Sequence, residues 1–307
     1  MTTPRLIHTA QALVDDLIDV PALPRRGGNS VATGHTRFAG GAVTVLVAAA
    51  RSGAHCVHAG SVGTGLYGDI VHRVLAAAGV TISSPIVTDT DTGVCLVFVE
   101  PTGERTFVTI QGAERRISVA SLATSAPLPG DYVAVSGYTL QGPSCTPLLD
   151  WLATLPAGVQ VVLDPGAAFA ELDDVTQSAA LAATTVWTSN TEEAAALVGS
   201  GAMDQQATAV AEMLRPDAVC VVRDGPAGCA VRASGVTTVV PGYPQKPLDT
   251  NGAGDTHTGV MIAELLACAD PVVAAKRANV AGALKVIRHG LDATPTRQEI
   301  DDFLASR

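Results

Sequence analysis

Short runs of apolar residues rich in β-branched side chains alternate with alanine-rich stretches along most of the chain. The alternation predicts strands at AHCVHAGSVG, DYVAVSGY, VQVVLDPG, TTVWTSN and AVCVVRDG. Helices are predicted at DIVHRVLAAAG and SCTPLLDWLATLP, and an earlier strand is predicted between Leu6 and Val14. Such alternation is typical of βαβ units, in which helices cover both faces of a parallel sheet. The pattern therefore predicts an α/β fold with a mainly parallel central sheet.

Two stretches interrupt this alternation. Residues 17–38 contain turn-forming glycines and prolines without a helical period, and residues 92–110 predict two strands around a tight turn at residues 101–103. Neither stretch belongs to a βαβ crossover, so we expect a small separate sheet that covers a site and closes on a substrate. Arg105 lies in the second stretch, where an exposed hairpin arginine is favoured over an arginine that reaches the site from the lid.

The composition limits the classes of protein to be considered. The 307 residues are 47% hydrophobic and carry a net charge of −10 without a block of lysine or arginine, so we expect no nucleic-acid partner. The six cysteines are scattered and form no CxxC pair, which favours buried thiols in a reducing cytoplasm over a zinc or redox site. No signal-peptide pattern is present, and no apolar run reaches the ~20 residues of a membrane span. The sequence predicts a cytoplasmic protein with no membrane partner.

The stretch DTNGAGDTHTG, residues 249–259, places a carboxylate directly after a loop that is almost without side chains. At the carboxyl edge of a parallel sheet, such a loop lets backbone N–H groups approach a phosphate, and a helix beginning there adds its positive dipole end. Asp255 would then be placed to accept a proton from an attacking hydroxyl. From physical chemistry alone, an aspartate that only caps the start of a helix explains the pattern equally well.

The phrase DTNGAGD resembles the signature D-T-x-G-A-G-D of the ribokinase-like sugar kinases, the PfkB carbohydrate kinase family, and matches it at every fixed position. Other stretches resemble further features of the family, and they follow in the family's order along nearly the whole chain. These stretches are VDDLIDVPALPRRGG, AGGAVTVLVAAARSGA, TGVCLVFVEPTGERTF, SNTEEAAAL and VVRDGPAGCAV. The resemblance implies a ribokinase-like three-layer α/β/α fold with a small β-sheet lid. The main domain is expected at residues 1–13, 40–91 and 112–307, and the lid at residues 14–39 and 92–111.

The same resemblance implies an activity, the ATP-dependent transfer of the γ-phosphoryl group to a hydroxyl of a small sugar or sugar-like substrate. Asp255 would be the general base of this reaction. The backbone amides of Gly252, Ala253 and Gly254 would form the anion hole for the transferred group. In this family, dimers through the lid are common, so a homodimer is also expected.

On the acceptor side, Asp15 matches the aspartate that binds sugar hydroxyls in the family. Gly40 and Gly41 match its glycine pair, and Thr44 stands where a substrate-binding asparagine is usual. Adjacent residues of a strand face opposite ways, so we expect Asp15 to meet the substrate and Asp16 to meet solvent. Because no cluster of arginine or lysine marks a phosphate on the acceptor, an unphosphorylated sugar is favoured.

On the nucleotide side, Asn190 and Glu193 match the N-x-x-E motif, which implies that they organise Mg²⁺ through water. A helix N-cap at Asn190 with acidic residues in the first turn is the alternative explanation of that motif. The resemblance also implies a monovalent cation such as K⁺ near the Asp249 loop. The remaining nucleotide-binding residues implied by the resemblance are Arg223, Gly225, Gly228 and Asn279.

Three alternative functions stay open at this point. The nearest is a nucleoside kinase of the same family, since an apolar lid covers a base as well as a sugar. The second alternative is an NAD(P)-dependent oxidoreductase. Residues 63–68 fit the dinucleotide-binding pattern G-x-G-x-x-G between a strand and a helix, and Asp89 follows about 20 residues further on. The third alternative is a catalytically inactive protein that binds a sugar or a nucleotide, because the sequence departs from the family pattern at four positions. These departures are Thr44, Gly65, Arg223 and Asp224.

Overall fold

A computed structural model describes residues 3–288, 290 and 293–307, and within these residues the strands form two sheets. Residues 1, 2, 289, 291 and 292, which belong to the predicted main domain, lie outside the described residues. The strands of the larger sheet are β1 (Arg5–His8), β4 (His55–His58), β5 (Thr81–Ile82), β8 (Tyr132–Ser136), β9 (Gln160–Asp164), β10 (Val186–Asn190), β11 (Val219–Arg223), β12 (Gly228–Ala233) and β13 (Val236–Pro241). The helices are α1 (Ala42–Arg51), α2 (Leu66–Ala77), α3 (Val119–Ala123), α4 (Cys145–Leu152), α5 (Asp174–Ala183), α6 (Thr191–Val198), α7 (Met203–Met213), α8 (Ala253–Leu266), α9 (Pro271–Val286) and α10 (Arg297–Ala305).

The larger sheet is mainly parallel, with the strand order β13-β12-β11-β10-β9-β8-β1-β4-β5. Only the pairings of β12 with β11 and with β13 are antiparallel among the described strands of this sheet. Leu6 and Ile7, neighbours in β1, belong to two different apolar clusters, one built around α1, α8 and α9 and the other around α4, α5 and α7. Helices therefore cover both faces, which confirms the predicted α/β architecture. No helix within the described residues is long and apolar enough to cross a membrane.

The strand predicted between Leu6 and Val14 is in fact two strands, so that prediction was wrong. β1 pairs on both sides, with β4 and β8, and stays in the larger sheet. The chain then turns, with the N–H of Thr9 bonded to the carbonyl of Ala134 at 3.0 Å. β2 (Ala12–Asp19) starts the smaller sheet and alternates buried and half-buried residues, because only one of its faces packs on the core.

The smaller sheet joins the two stretches that interrupt the βα alternation. It contains β2, β3 (Gly34–Gly41), β6 (Val94–Val99) and β7 (Arg105–Ile110) in the order β3-β2-β6-β7. β6 and β7 flank the predicted turn at residues 101–103 and pair antiparallel, which confirms the hairpin. The sheet lies where a lid was expected, while the exact division of the chain into main domain and lid stays a prediction.

Helix α8 is fixed by close packing on α1. A Cβ at Gly259 would lie 2.7 Å from the Cβ of Ala48, so only glycine allows the two helices to approach this closely. The alanine-rich face of α1 is buried over most of its length. Because α8 begins at the glycine-rich loop of residues 249–254, this packing sets where that loop meets the sheet edge.

Candidate active site

A cavity of about 1000 Å³ lies between the smaller sheet and the carboxyl ends of the parallel strands. The last residues of β1, β8, β9, β10 and β11 line it, namely His8, Ser136, Asp164, Asn190 and Arg223. Residues of the smaller sheet, among them Asp15 and Arg105, line the opposite wall. Ligands of open α/β sheets bind outside the carboxyl ends of the strands, so this cavity is the candidate active site.

The glycine-rich loop forms the start of α8 at this cavity. Gly252 is the N-cap residue of α8, with a left-handed φ of 70° that favours glycine. A Cβ at Gly254 would lie 2.6 Å from Nη1 of Arg223, so a larger residue here would displace that guanidinium group. The first turn of a helix has N–H groups without helical partners, although Ala253 makes a long bond of 3.3 Å to the carbonyl of Thr250. The loop has the form of an anion-binding helix N-terminus.

Asp255 lies within the first turn of α8 and lines the cavity. Gly252 holds the N-cap position, so the alternative in which Asp255 only caps the helix does not apply. Burial raises the pKa of the Asp255 carboxyl to about 7, with a smaller upward contribution from the charge of Asp164 and an opposing one from Arg223. A carboxyl group with a pKa near neutrality is suited to take a proton from a hydroxyl.

Arg223 lies beneath the same loop with only 11% of its side chain exposed. Its Nε donates to the carbonyl of Ser189 at 3.1 Å, and its Nη2 donates to Oδ2 of Asp164 at 3.3 Å. The guanidinium group therefore presents a fixed positive charge beside the N-terminus of α8, which suits a phosphate. The sequence prediction missed Asp164, although an acid directly after the buried strand run VVL was a usable signal.

Asn190 and Glu193 form a reciprocal cap at the start of α6. Oδ1 of Asn190 accepts from the N–H of Glu193 at 2.7 Å, and Oε2 of Glu193 accepts from the N–H of Asn190 at 2.9 Å. The helix-cap explanation of the motif is therefore realised, while both side chains also line the cavity. Burial, followed by the charge of Asp164, raises the pKa of Glu193, and Arg223 opposes this rise.

The acids at this edge suit a magnesium ion held largely by a bound nucleotide. Among the described residues, no group of three His, Cys, Asp or Glu side chains could hold a metal ion by itself. Mg²⁺ keeps several waters and is commonly bound by one or two carboxylates plus substrate phosphates. Asp164 and Glu193, which both line the cavity, would supply those carboxylates.

Asp15 reaches the cavity from β2 with its carboxylate packed against Gly40. A Cβ at Gly40 would overlap this carboxylate, so the glycine gives Asp15 its place. Burial raises the pKa of Asp15 to about 6, although a hydrogen bond from Asn251 opposes the rise. Asp15 is thus linked directly to the loop that precedes Asp255.

Thr44 does not line the cavity, contrary to the prediction that it contacts substrate. It lies on the face of α1 that is turned towards the glycine-rich loop, where its Cγ2 is 3.1 Å from the Cβ position of Gly252. Gly41, with a left-handed φ of 58°, caps α1 and lines the cavity together with Ala42 and Val45. The start of α1, where the resemblance predicted a threonine hydroxyl against the substrate, therefore presents an apolar surface to the cavity.

Asp16 and Arg105 also differ from the sequence expectations. Asp16 is 5% exposed and forms an ion pair with Arg37 at 2.7 Å, because β3 brings Arg37 alongside β2. It does not face solvent. Arg105 is not a free hairpin arginine, since its Nη2 donates to Oγ1 of Thr250 at 2.5 Å and its side chain lines the cavity. Arg115, which the sequence did not single out, also lines the cavity.

Gly225, Gly228 and Asn279, which the resemblance assigns to nucleotide binding, line the cavity. The amide nitrogen of Asn279 donates to the carbonyl of Val240 at 3.1 Å, so this side chain fixes the end of β13. Oδ1 of Asn279 lies 3.2 Å from Nε2 of His257. Burial lowers the pKa of His257 to about 3, so this histidine is neutral and fills a structural place behind the loop.

A potassium ion on Asp249 does not fit the residues present. Nζ of Lys285 lies 3.7 Å from Oδ2 of Asp249, and the side chain of Lys285 is 3% exposed. A second cation on the same carboxylate would be repelled by this ammonium group, since two unit charges about 4 Å apart repel by about 4 kcal/mol at an effective dielectric constant of 20.

The G-x-G-x-x-G stretch at residues 63–68 does not present a dinucleotide site. It leads into α2. In the first turn of this helix, the N–H groups of Tyr67 and Gly68 donate to the carboxylate of Asp91 at 3.0 and 2.8 Å. The chain's own carboxylate thus occupies the position that a dinucleotide phosphate would need. Asp89 is exposed and lies outside the residues that line the cavity.

The arrangement of the two sheets and their helices is that of the ribokinase-like fold. Ribokinase from Giardia lamblia superposes with a TM-score of 0.85 at 22% identity, covering 99% of both chains. Arabidopsis thaliana ribokinase, solved with ribose and ATP, superposes with a TM-score of 0.82 at 20% identity and 99% coverage of each chain. These likenesses establish the fold.

The sequence profile of the pfkB family carbohydrate kinases matches residues 10–297, and the chain belongs to this family. It is therefore a carbohydrate kinase, a phosphotransferase with a sugar hydroxyl as acceptor. The uncharacterized sugar kinase YegV of Escherichia coli (strain K12) is 29% identical over 292 residues, which cover 94% of this chain and 90% of the relative. The ATP-dependent ribose-1-phosphate kinase of Halopiger xanaduensis is 30% identical over 307 residues, which cover 99% of each chain.

Proposed function

We propose that the protein uses ATP to phosphorylate a hydroxyl of a small sugar, with Asp255 as the general base. The observation that supports this most strongly is the position of Asp255 in the first turn of α8. Asp15, on the proposed acceptor side, and Arg223, on the proposed nucleotide side, line the same cavity. A base between these two sides is where an attacking hydroxyl has to lose its proton.

In the proposed reaction, the acceptor oxygen attacks the γ-phosphorus of ATP in line with the leaving group. A new P–O bond forms as the bond to the β,γ-bridging oxygen breaks, and the hydroxyl proton passes to Asp255. The N–H groups at the start of α8 and the guanidinium group of Arg223 stabilise the charge on the transferred phosphoryl oxygens. Mg²⁺ held through water by Asp164 and Glu193 would neutralise the β- and γ-phosphates.

An unphosphorylated sugar is the acceptor that we propose, because the carboxylate of Asp15 is an acceptor for hydroxyl groups and would repel a phosphate. A sugar phosphate is the second candidate. Two observations favour it: Arg105 and Arg115 line the cavity, and a relative of nearly equal length is a ribose-1-phosphate kinase. Either arginine would attract a phosphate on the acceptor.

The test is ADP release from Mg-ATP across free pentoses and hexoses, sugar phosphates and nucleosides. We expect turnover with at least one sugar, and a loss of about 10³-fold in Asp255→Asn with ATP binding retained. Asp150→Asn, on the exposed face of α4, is the matched control and should keep full activity. Near-normal turnover of Asp255→Asn would show that Asp255 is not the base.

A further inference from the structure

Lys285 is a buried cation directly beneath the loop that leads to Asp255. Its side chain is 3% exposed, and its Nζ lies 3.7 Å from Oδ2 of Asp249. Its Cε lies 3.9 Å from the Cβ position of Gly252, the N-cap residue of α8. Lysine is almost never fully buried unless it is paired, so the position of this charge needs an explanation beyond packing.

The pair of Lys285 and Asp249 is connected to both sides of the site. The backbone N–H of Asp249 donates to the carbonyl of Val286 at 3.1 Å, which ties the loop to α9 beside Lys285. Oδ1 of Asp249 accepts from the N–H of Asn251 at 2.9 Å, and the side chain of Asn251 is hydrogen-bonded to Asp15. A change at Lys285 would therefore be transmitted to the loop and to the acceptor carboxylate.

The charges around Lys285 are mixed. Asp249 and Asp255 attract its ammonium group, and Arg105 from the smaller sheet repels it. Without the ammonium group, the Asp249 carboxylate would lie half-buried under the loop with its charge uncompensated. A cation at this place therefore stabilises the ionised carboxylate, whatever its source.

We propose that Lys285 is a positioning residue whose ammonium group replaces a bound monovalent cation beneath the anion-binding loop. It neutralises Asp249 and holds the loop from which the N–H groups of Gly252 and Gly254 meet the transferred phosphoryl group. Because the ammonium group is tethered to α9, it is present at any ionic composition, and the kinase needs no K⁺. This inference rests on the proposed kinase reaction.

The first test compares wild type with Lys285→Met in potassium chloride and in tetramethylammonium chloride at equal ionic strength. Wild type should show the same kcat/KM, within twofold, in both salts. Lys285→Met should lose at least tenfold in tetramethylammonium and regain a large part of this loss with potassium or ammonium ions. Lys276→Met, an exposed lysine on the same helix, is the matched control and should resemble wild type in both salts.

The second test is the thermal midpoint in the same salts, which needs no acceptor. Potassium should raise the midpoint of Lys285→Met by several degrees and leave that of wild type unchanged, because only the variant has a cation site to fill. Lys285→Gln replaces the methionine variant if that variant does not fold. If no acceptor gives ADP release, the proposed function is contradicted. The thermal midpoints still test whether Lys285 replaces a bound cation.

Two results would overturn the inference. The first is a wild-type enzyme that potassium activates or stabilises relative to tetramethylammonium, since the site would then take an ion despite Lys285. The second is a folded Lys285 variant whose activity and midpoint respond to no monovalent cation, since Lys285 would then have only a packing role.

Discussion

At the scale of single residues, the site depends on carboxylates that the fold keeps partly out of water. Burial raises the pKa of Asp255 to about 7 and that of Asp15 to about 6. Arg223 and Lys285 place fixed positive charges against the same loop. The site therefore holds groups in ionisation states that cost stability, as functional sites commonly do.

Replacing Asp255 by asparagine should stabilise the protein at alkaline pH. The folded pKa of this carboxyl lies above its ordinary value, so the folded protein binds a proton that the unfolded chain has already released. The free energy of unfolding therefore falls as the pH rises from the ordinary value of about 4 to about 7. We expect Asp255→Asn to gain on the order of 1 kcal/mol at pH 8 relative to wild type, and little at pH 4.

Thermal or urea unfolding of both proteins between pH 4 and pH 9 measures this difference. Asp150→Asn, which removes an exposed carboxylate, should show no comparable gain. A stability difference for Asp255→Asn that does not change with pH would contradict the assigned desolvation of the carboxyl.

The residues that could be predicted are those with a local motif. The phrase DTNGAGD specifies a glycine-rich helix start followed by an acid, because Gly252 takes up a left-handed φ at the N-cap and Gly254 lies against the guanidinium group of Arg223. Asp164 was missed although it directly follows the strand run VVL, whereas Lys285 could not be predicted because its contact with Asp249 arises only when α9 meets the loop. Thr44 was assigned to the substrate from its place in a pattern, and the rotation of α1 turns it to the loop instead.

At the scale of secondary-structure elements, the β6–β7 hairpin provides one contact between the smaller sheet and the glycine-rich loop, through Arg105, and Asp15 of β2 provides another. The hairpin follows from its sequence, since two β-branched runs flank a short turn. The contact of Arg105 with Thr250 could not be read from the sequence, because it depends on how the two sheets meet. The division of the predicted first strand into β1 and β2 has the same origin, since these strands find partners in different sheets.

Arg105→Ala should weaken binding of the acceptor more than it slows the chemical step. The variant loses the bond to Thr250 and a positive charge in the cavity wall. We expect the KM of the acceptor to rise about tenfold for a free sugar, with kcat reduced less, and a larger rise for a sugar phosphate. Steady-state kinetics with matched free and phosphorylated sugars measure both effects.

Arg116→Ala is the control for this prediction, because Arg116 pairs with Asp89 at the surface, away from the cavity. Equal losses in the two arginine variants would contradict a specific role for Arg105. A larger loss for the phosphorylated acceptor would select the second substrate candidate.

At the scale of the whole molecule, the site exists because five parallel strands end at one edge and a second sheet faces that edge. The alternation of strands and helices predicts the first part, and the two irregular stretches predict the second. The side chains that close the cavity across the gap, such as Arg105, depend on tertiary contacts and carry no pattern. The family and the reaction class follow from the sequence of the whole chain. The identity of the acceptor substrate depends instead on these tertiary contacts, which leave no pattern in the sequence.

The pH dependence of kcat/KM tests the central claim, that Asp255 is the general base. Only the deprotonated carboxyl accepts a proton, so wild-type kcat/KM should rise with pH and level off above about 7, the pKa of Asp255. Asp255→Asn should be about 10³-fold slower and should lack this rise. A wild-type profile that is flat from pH 5 to pH 9, or the same inflection in the variant, would contradict the account.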